Sequence, residues 1–89
     1  MLKYKVIKRY SKWDSTLNKD NAESIEYPVH HGYLTTLKDA RGILEATALR
    51  EGMHVFEGNM SAIKGEENID EESGITTLEL EELYIDIQK

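Results

Sequence analysis

The sequence predicts an α+β fold in which one helix packs on one face of a small antiparallel sheet. Three observations lead to this prediction: alternating apolar and polar residues near both ends of the chain, one amphipathic segment in the middle, and a length of 89 residues that suits a single domain. The segments follow in the order strand, strand, helix, strand, strand. A helix covering one face of an antiparallel sheet is the simplest way to bury them.

The first two strands are predicted from alternation and composition. In residues 2–10, Leu2, Tyr4 and Val6 alternate with Lys3, Lys5 and then Ile7. Because successive strand residues point to opposite faces, this spacing indicates a half-buried strand. Residues 25–34 are rich in Ile, Tyr and Val and predict a second strand. Pro28 has no amide hydrogen to donate, so this strand lies at a sheet edge, or is bulged or broken there.

The helix is predicted over residues 36–51, where apolar side chains recur on one helical face. Thr36 and Asp39 have the spacing of a capping box, although aspartate is shorter than the usual glutamate. Gly52 follows as the expected C-terminal stop. Gly42, inside the helix, costs about 1 kcal/mol relative to alanine, and we expect it to allow close packing on the sheet.

Two further strands are predicted after the helix. Residues 53–57 alternate, with a short return through Ala62 and Ile63. Residues 75–88 are rich in β-branched side chains and predict the last strand. Their apolar residues change parity, so we expect a bulge at residues 81–82, where one extra residue would bring both halves onto one face. A helix over the same residues also fits the spacing.

Two polar segments are predicted as loops. Residues 11–24 are rich in Ser, Asp and Asn, which favour turns. Residues 64–74 are acidic, are bounded by glycines and have no periodicity, which indicates a flexible, solvated loop. We therefore predict a single domain over residues 1–89 that carries a flexible acidic loop.

Charge is distributed unevenly along the chain. The formal net charge is -6, but residues 1–50 have a net charge of +3 and residues 51–89 one of -9. If the first and last strands are neighbours, the basic strand neutralises an acidic one, with Lys3 and Lys5 facing glutamates of residues 79–82. Such cross-strand pairs contribute about 0.2–1 kcal/mol each.

Composition also bears on compartment and activity. The chain has no cysteine, which excludes disulfides and thiolate chemistry and fits a reducing cytoplasm. We expect no signal peptide, because lysines interrupt the first apolar residues, and no membrane attachment, because no run approaches the ~18 apolar residues of a membrane span. So small a domain has little room for a substrate cavity. We expect a cytoplasmic protein that is not an enzyme and has no catalytic residues or cofactor.

Two of the three histidines are adjacent in EYPVHHGY, residues 26–33. Neighbouring strand residues point to opposite faces, so His30 and His31 do not readily bind one metal, although one of them could meet His54 across strands. A zinc site needs three or four ligands. We expect no metal site, and a small metal-binding or hydrolytic site at these histidines stays as one alternative.

Residues 4–13 interleave aromatic and basic side chains. Proteins that bind single-stranded nucleic acid combine stacking aromatics with cations that follow the backbone. Nucleic-acid binding is therefore a second alternative, although the overall negative charge repels phosphate. The residues assigned to it are Lys8, Arg9, Tyr10, Lys12 and Trp13.

The acidic residues of the second half support the preferred hypothesis, a protein-binding module that docks on a basic partner. A dense negative field speeds association and favours complementary surfaces. Small inhibitors of phages and mobile elements that mimic nucleic acid share this composition, so an inhibitor is one form of the hypothesis. Homodimerisation through an edge strand is a further option. The assigned contact residues are Glu66, Glu67, Asp70, Glu71, Glu72, Glu79, Glu81 and Glu82.

Overall fold

A computed structural model describes residues 2–16 and 23–88, which form a five-stranded antiparallel sheet with one helix on one face. The predicted α+β class and the order of elements are confirmed, and the strand order across the sheet is β2-β1-β5-β4-β3. The elements are β1 (Lys3–Asp14), β2 (Glu23–Pro28), α1 (Leu37–Glu51), β3 (His54–Val55), β4 (Ser61–Ile69) and β5 (Thr76–Gln88).

The two longest strands, β1 and β5, lie side by side at the centre of the sheet. They pair antiparallel in unbroken register over all twelve residues of β1, which face residues 77–88 of β5. Residues 75–88 are thus a strand, as preferred, but the bulge expected at 81–82 is wrong. The change of parity has another cause: Leu83 is buried under α1, whereas Leu80 lies on the opposite face of the sheet.

The core lies between α1 and one end of the sheet. Its largest fully buried side chains are Val6 of β1, Leu44 of α1 and Leu83 of β5. Ala40 and Ala48 of α1 are also fully buried, and these small side chains make room for the residues of the sheet. The predicted inward face of β1 is therefore confirmed.

The helix begins and ends as predicted. The hydroxyl of Thr36 accepts a hydrogen bond from the Asp39 amide at 3.1 Å, and Gly52 takes the left-handed conformation with φ 69°. The expectation for Gly42 is wrong: it is exposed, and a Cβ there would meet no atom within 4 Å. Gly42 therefore makes no close approach to the sheet.

Several boundaries differ from the prediction. The second strand ends at Pro28, at an edge of the sheet, and Leu34 makes only an isolated bridge to Tyr4. The segment predicted as loop 11–24 includes the end of β1 and the start of β2, and its residues 17–22 lie outside the described residues.

The acidic segment 64–74 is not a loop throughout. Residues 64–69 belong to β4 and pair with β5, and the turn between the strands begins at Asp70. Hydrophobic periodicity is absent here because the helix does not cover this part of the sheet, so both faces are open to solvent. Strand formation rests on backbone pairing with β5.

Candidate functional site

The sheet extends well beyond the helix. A 15-residue helix is about 22 Å long, whereas a 12-residue strand spans about 40 Å. The molecule is accordingly rod-shaped, with extents of 53 × 24 × 21 Å. We call the part of the sheet that extends past the core the distal half, and its two sides the helix-bearing face and the helix-free face. The distal half comprises residues 9–14, 23–26, 64–69 and 76–82.

All the acidic residues assigned to partner binding lie in the distal half or in the turn at its end. The sheet register separates them, however, because alternate residues point to opposite faces. Glu66, Glu79 and Glu81 lie on the helix-bearing face, and Glu67 and Glu82 lie on the helix-free face. The turn after β4 carries Asp70, Glu71 and Glu72.

Among the described residues, most of these carboxylates have no lysine or arginine nitrogen within 4 Å, although Lys12 lies opposite Glu79 on the neighbouring strand. Glu81 lies 3.2 Å from Lys8 Nζ, and Glu82 lies 3.9 Å from an Arg9 nitrogen. Glu66 and Glu79 are directly opposite each other on neighbouring strands, where like charges are destabilising. Within residues 2–16 and 23–88, no lysine or arginine nitrogen lies within 4 Å of the carboxylates of Glu66, Glu67, Asp70, Glu71, Glu72 or Glu79.

Neutralisation of the acidic strand by Lys3 and Lys5 is not observed. The two strands are neighbours as expected, but Lys3 lies opposite Gln88 and Lys5 opposite Asp86. Both amines lie over the Tyr33 ring, at 5.3 and 4.9 Å from its centre. The antiparallel register therefore leaves these two lysines at the end of the sheet remote from the acidic turn.

Lys8 connects the helix to the distal half of the sheet. It is only 8% exposed, and its Nζ donates to Glu51 Oε1 at 2.6 Å and lies 3.2 Å from Glu81 Oε1. Burial lowers the pKa of Lys8, but hydrogen bonds to the two glutamates outweigh this effect and leave the pKa raised. The pairing with Glu51, in the last turn of α1, was not predicted from the sequence.

On the helix-free face, Arg9 forms a second polar cluster. Its Nε donates to Glu26 Oε1 at 2.8 Å, and its guanidinium lies over the Tyr84 ring at 5.5 Å. The Tyr84 hydroxyl donates to the other Glu26 oxygen at 3.1 Å. Burial, followed by the Glu26 hydrogen bond, raises the pKa of Tyr84. Arg9 is thus already occupied by protein groups.

The residues assigned to nucleic-acid binding are not brought onto one surface. Lys8, Tyr10 and Lys12 lie on the helix-bearing face, and Arg9 and Trp13 lie on the helix-free face. Lys8 and Arg9 already pair with carboxylates. The cations and the indole that would have to act together therefore point in opposite directions.

An open pocket lies on the helix-bearing face of the distal half. Tyr10 lies at its wall, and burial, followed by the charge of Glu79, raises the pKa of the Tyr10 hydroxyl. Four charged side chains also line the pocket: Lys64, Glu66, Glu79 and Glu81. Among the described residues, no group of three or more His, Cys, Asp or Glu side chains is arranged to hold a metal ion.

The three histidines lie apart. The Val6 amide donates to His30 Nε2 at 3.0 Å, and His30 Nδ1 lies 3.3 Å from the carbonyl oxygen of His31. His31 is exposed. His54 lies in β3, at the opposite edge of the sheet, edge-to-face with Phe56. The contact with His54 that the sequence left open is not formed, because β1, β5 and β4 separate His54 from the other two histidines.

Comparisons of the chain with protein-family models, with curated proteins and with solved structures gave no match. In the described part of the chain, no helix is both long enough and apolar enough to cross a membrane.

Proposed function

We propose that this protein is a non-enzymatic binding module that docks on a basic partner protein through its distal half. The observation that carries the proposal is the group of six carboxylates, on the distal half and its turn, with no lysine or arginine within 4 Å among the described residues. Residues 64–82 contain one lysine against eight acidic residues. Such a field steers a positively charged partner during encounter.

The shape of the distal half supports this proposal. Acidic side chains lie on both faces of a narrow sheet and on the turn at its end, so a partner with a cationic cleft can receive the end of the rod. Nucleic-acid-binding proteins have such clefts, because they neutralise phosphates with lysine and arginine. The partner class we favour is therefore a nucleic-acid-binding protein that this module inhibits. We place the encounter in the cytoplasm, because the chain has no cysteine.

The test compares two variants with the same change in net charge. The turn variant carries Asp70→Asn, Glu71→Gln and Glu72→Gln. Asp70→Asn keeps a side-chain oxygen that can still accept the hydrogen bond from the backbone amide of residue 72. The control variant carries Asp39→Asn, Glu45→Gln and Glu57→Gln, which replace three acidic residues outside the distal half. Each variant is used to capture proteins from source cells, with and without nuclease, and the affinity for the captured protein is measured against salt concentration.

The turn variant should bind the captured protein at least about tenfold more weakly, and with a flatter salt dependence, because each lost charge removes part of the attraction. The control variant should bind as the unchanged protein does. Equal binding by both variants, or binding that resists high salt, would show that the acidic end is not the docking surface. Capture that is lost on nuclease treatment would favour nucleic acid as the partner.

A further inference from the structure

The outer edge of β4 is open along its second half. The short β3 pairs only with Ala62 and Ile63, so residues 64–69 have β5 on one side and, within the described residues, no strand on the other. All of residues 64–69 are exposed. The unpaired backbone groups of such an edge are a template for another strand.

The hydrogen bonds at the start of β4 show which of its residues direct their backbone groups to this edge. In an antiparallel pair, residues that exchange hydrogen bonds alternate with residues that do not. The Met60 carbonyl, directly before β4, accepts from the Ile85 amide of β5 at 3.2 Å, and the Ser61 carbonyl accepts from the Phe56 amide on the other side at 3.0 Å. Even-numbered residues of β4 therefore direct their backbone groups to β5, and odd-numbered residues direct theirs outwards.

The residues of the open edge that direct backbone groups outwards are Gly65, Glu67 and Ile69. In the described part of the chain, their amides and carbonyls have no hydrogen-bond partner on the outer side. They lie at alternate positions, which is the spacing at which one antiparallel neighbour exchanges hydrogen bonds. One further strand could therefore pair with all of them.

The charge beside this edge is negative. Residues 64–72 contain one lysine and five acidic residues. Lys64 is directed to the end of α1, where its Nζ donates to the Glu51 carbonyl at 3.2 Å. Glu66 and Glu67 point to opposite faces of the sheet, and neither has a lysine or arginine nitrogen within 4 Å among the described residues. A strand with basic residues opposite both glutamates is complementary to this edge.

We propose that the open edge of β4, residues 64–69, binds an extended basic segment of the partner protein as an additional antiparallel strand. The inference rests on the proposed function, to which it adds the conformation and the chemistry of the bound segment. In such complexes the backbone hydrogen bonds give affinity, and the side chains beside the edge give specificity.

The register defines the sequence pattern of the bound segment. Read from its amino end, an antiparallel segment begins opposite Ile69 and ends opposite Lys64. The residue opposite Ile69 is apolar, and the residues opposite Glu67 and Glu66 are consecutive and basic. The residue opposite Gly65 is aromatic, because a large ring covers the backbone of a glycine in a neighbouring strand. The peptide VTRKYT has this pattern and serves as the probe, with both ends blocked.

The pocket on the helix-bearing face adds a reason for a cation opposite Glu66. Glu66 and Glu79 lie opposite each other and both line this pocket. Neighbouring strands are about 4.8 Å apart, so the long side chain of a lysine opposite Glu66 extends towards the pocket. Its ammonium group would offset part of the repulsion between the two glutamates.

A second copy of the chain is a poorer occupant of the edge. Two antiparallel copies must pair odd-numbered residues with each other, because only these direct backbone groups outwards. Centred on residue 66 or 67, the pairing sets Glu66 against Glu66 or Glu67 against Glu67. Centred on residue 68, it sets Glu66 against Asp70. Like charges directly opposite each other are destabilising, so the edge favours a basic partner over itself.

The first test measures binding of the blocked peptide VTRKYT to the full chain by NMR, together with amide hydrogen exchange. At a peptide concentration of about nine times the Kd, only about a tenth of the protein is free. Exchange at the amides of Gly65, Glu67 and Ile69 should then slow about tenfold, because the added strand accepts their hydrogen bonds.

Two methylated peptides of equal mass and charge serve as matched controls. Methylation of the arginine and tyrosine amides, which face β4 in the proposed register, should weaken binding at least about tenfold. Methylation of the first threonine amide and the lysine amide, which face away from β4, should leave binding unchanged.

The second test removes one donor from the protein. Gly65→Pro loses the outward amide, and Gly65→Ala keeps it with a Cβ in ordinary contact, 3.6 Å from Leu80. Gly65→Pro should bind the peptide at least about fivefold more weakly than Gly65→Ala. If Gly65→Pro does not fold, Ile69→Pro and Ile69→Ala form the same comparison.

Strand addition and electrostatic docking fail separately. No peptide binding at about 1 mM, equal binding of the two methylated peptides, or equal binding by the proline and alanine variants would overturn strand addition. Peptide binding that weakens in the turn variant, but does not distinguish the methylated peptides, would overturn strand addition and retain the acidic docking surface. Slowed exchange at the outward amides, with equal capture by the turn and control variants, would support strand addition and exclude the turn as the docking surface.

Discussion

Lys8 shows at the scale of one residue how the sheet and helix are joined. Its position in the alternation after Tyr4 and Val6 directs it inwards, and the end of α1 brings Glu51 to it. An ammonium group that is removed from water needs such partners. From the sequence, Lys8 was predicted only as a candidate contact for nucleic acid, because its partner Glu51 lies 43 residues later, at the end of a helix.

Replacing Lys8 with methionine should lower the free energy of unfolding by about 2–3 kcal/mol, because two carboxylates would lose their shared cation. The value lies below that of a fully buried pair because the glutamate side chains are each about 30% exposed. Lys12→Met is the matched control, on the same strand and face. Lys12 lies opposite Glu23 and Glu79 without an ion pair within 4 Å to a described residue, so its loss should cost less than about 1 kcal/mol. Urea unfolding measures both, and equal losses would contradict the role assigned to Lys8.

Alkaline pH should destabilise the protein. Burial lowers the pKa of Lys8, but its hydrogen bonds to two glutamates outweigh this effect, so the pKa is raised. The pKa of Tyr84 is raised mainly by burial. The folded state then holds more protons than the unfolded state, so stability is complete below about pH 10 and falls as pH rises through the folded pKa values. Unfolding curves between pH 8 and about 11 should show this fall, and Lys8→Met should reduce it. A stability that rises over this window would contradict the argument.

At the scale of elements, sequence patterns predict the structure where a second layer covers the sheet. Alternation found the inward face of β1, and local chemistry found both ends of α1, because capping depends on residues close in sequence. The same patterns failed in the distal half. Residues 64–69 have the pattern of a loop because neither face of the strand is buried. The parity change in β5 suggested a bulge because the sequence alone does not show which part of the strand the helix covers.

The two glycines of the helical region should respond oppositely to alanine. Gly42→Ala should stabilise the protein by about 0.5–1 kcal/mol, because Gly42 is exposed, has no neighbour within 4 Å of a new Cβ, and carries the entropy cost of glycine in a helix. Gly52→Ala should destabilise it by about 1–2 kcal/mol, because φ is 69° there. Chemical unfolding of both variants checks the signs, and a loss of stability in Gly42→Ala would mean that the helix packs differently.

At the scale of the whole molecule, charge and shape are coupled. The helix buries one end of the rod, and Glu66, Glu67, Glu79 and the acidic turn 70–72, which have no lysine or arginine nitrogen within 4 Å among the described residues, lie towards the other end. These carboxylates repel one another, as Glu66 and Glu79 do across β4 and β5. Self-repulsion of this kind weakens a compact state, so the acidic end reduces stability in the absence of a partner.

Sodium chloride should therefore stabilise the isolated protein at neutral pH. Raising the ionic strength from about 0.01 to 0.15 M shortens the screening length from about 30 to 8 Å, which weakens repulsion among the distal carboxylates more than it weakens the buried Lys8 pair. The melting temperature should rise, and it should rise less in the variant with Asp70→Asn, Glu71→Gln and Glu72→Gln. Measurement at two protein concentrations separates this effect from any dimerisation. A melting temperature that falls with salt would mean that attractive ion pairs dominate. The charges of the distal half would then stabilise the fold instead of destabilising it.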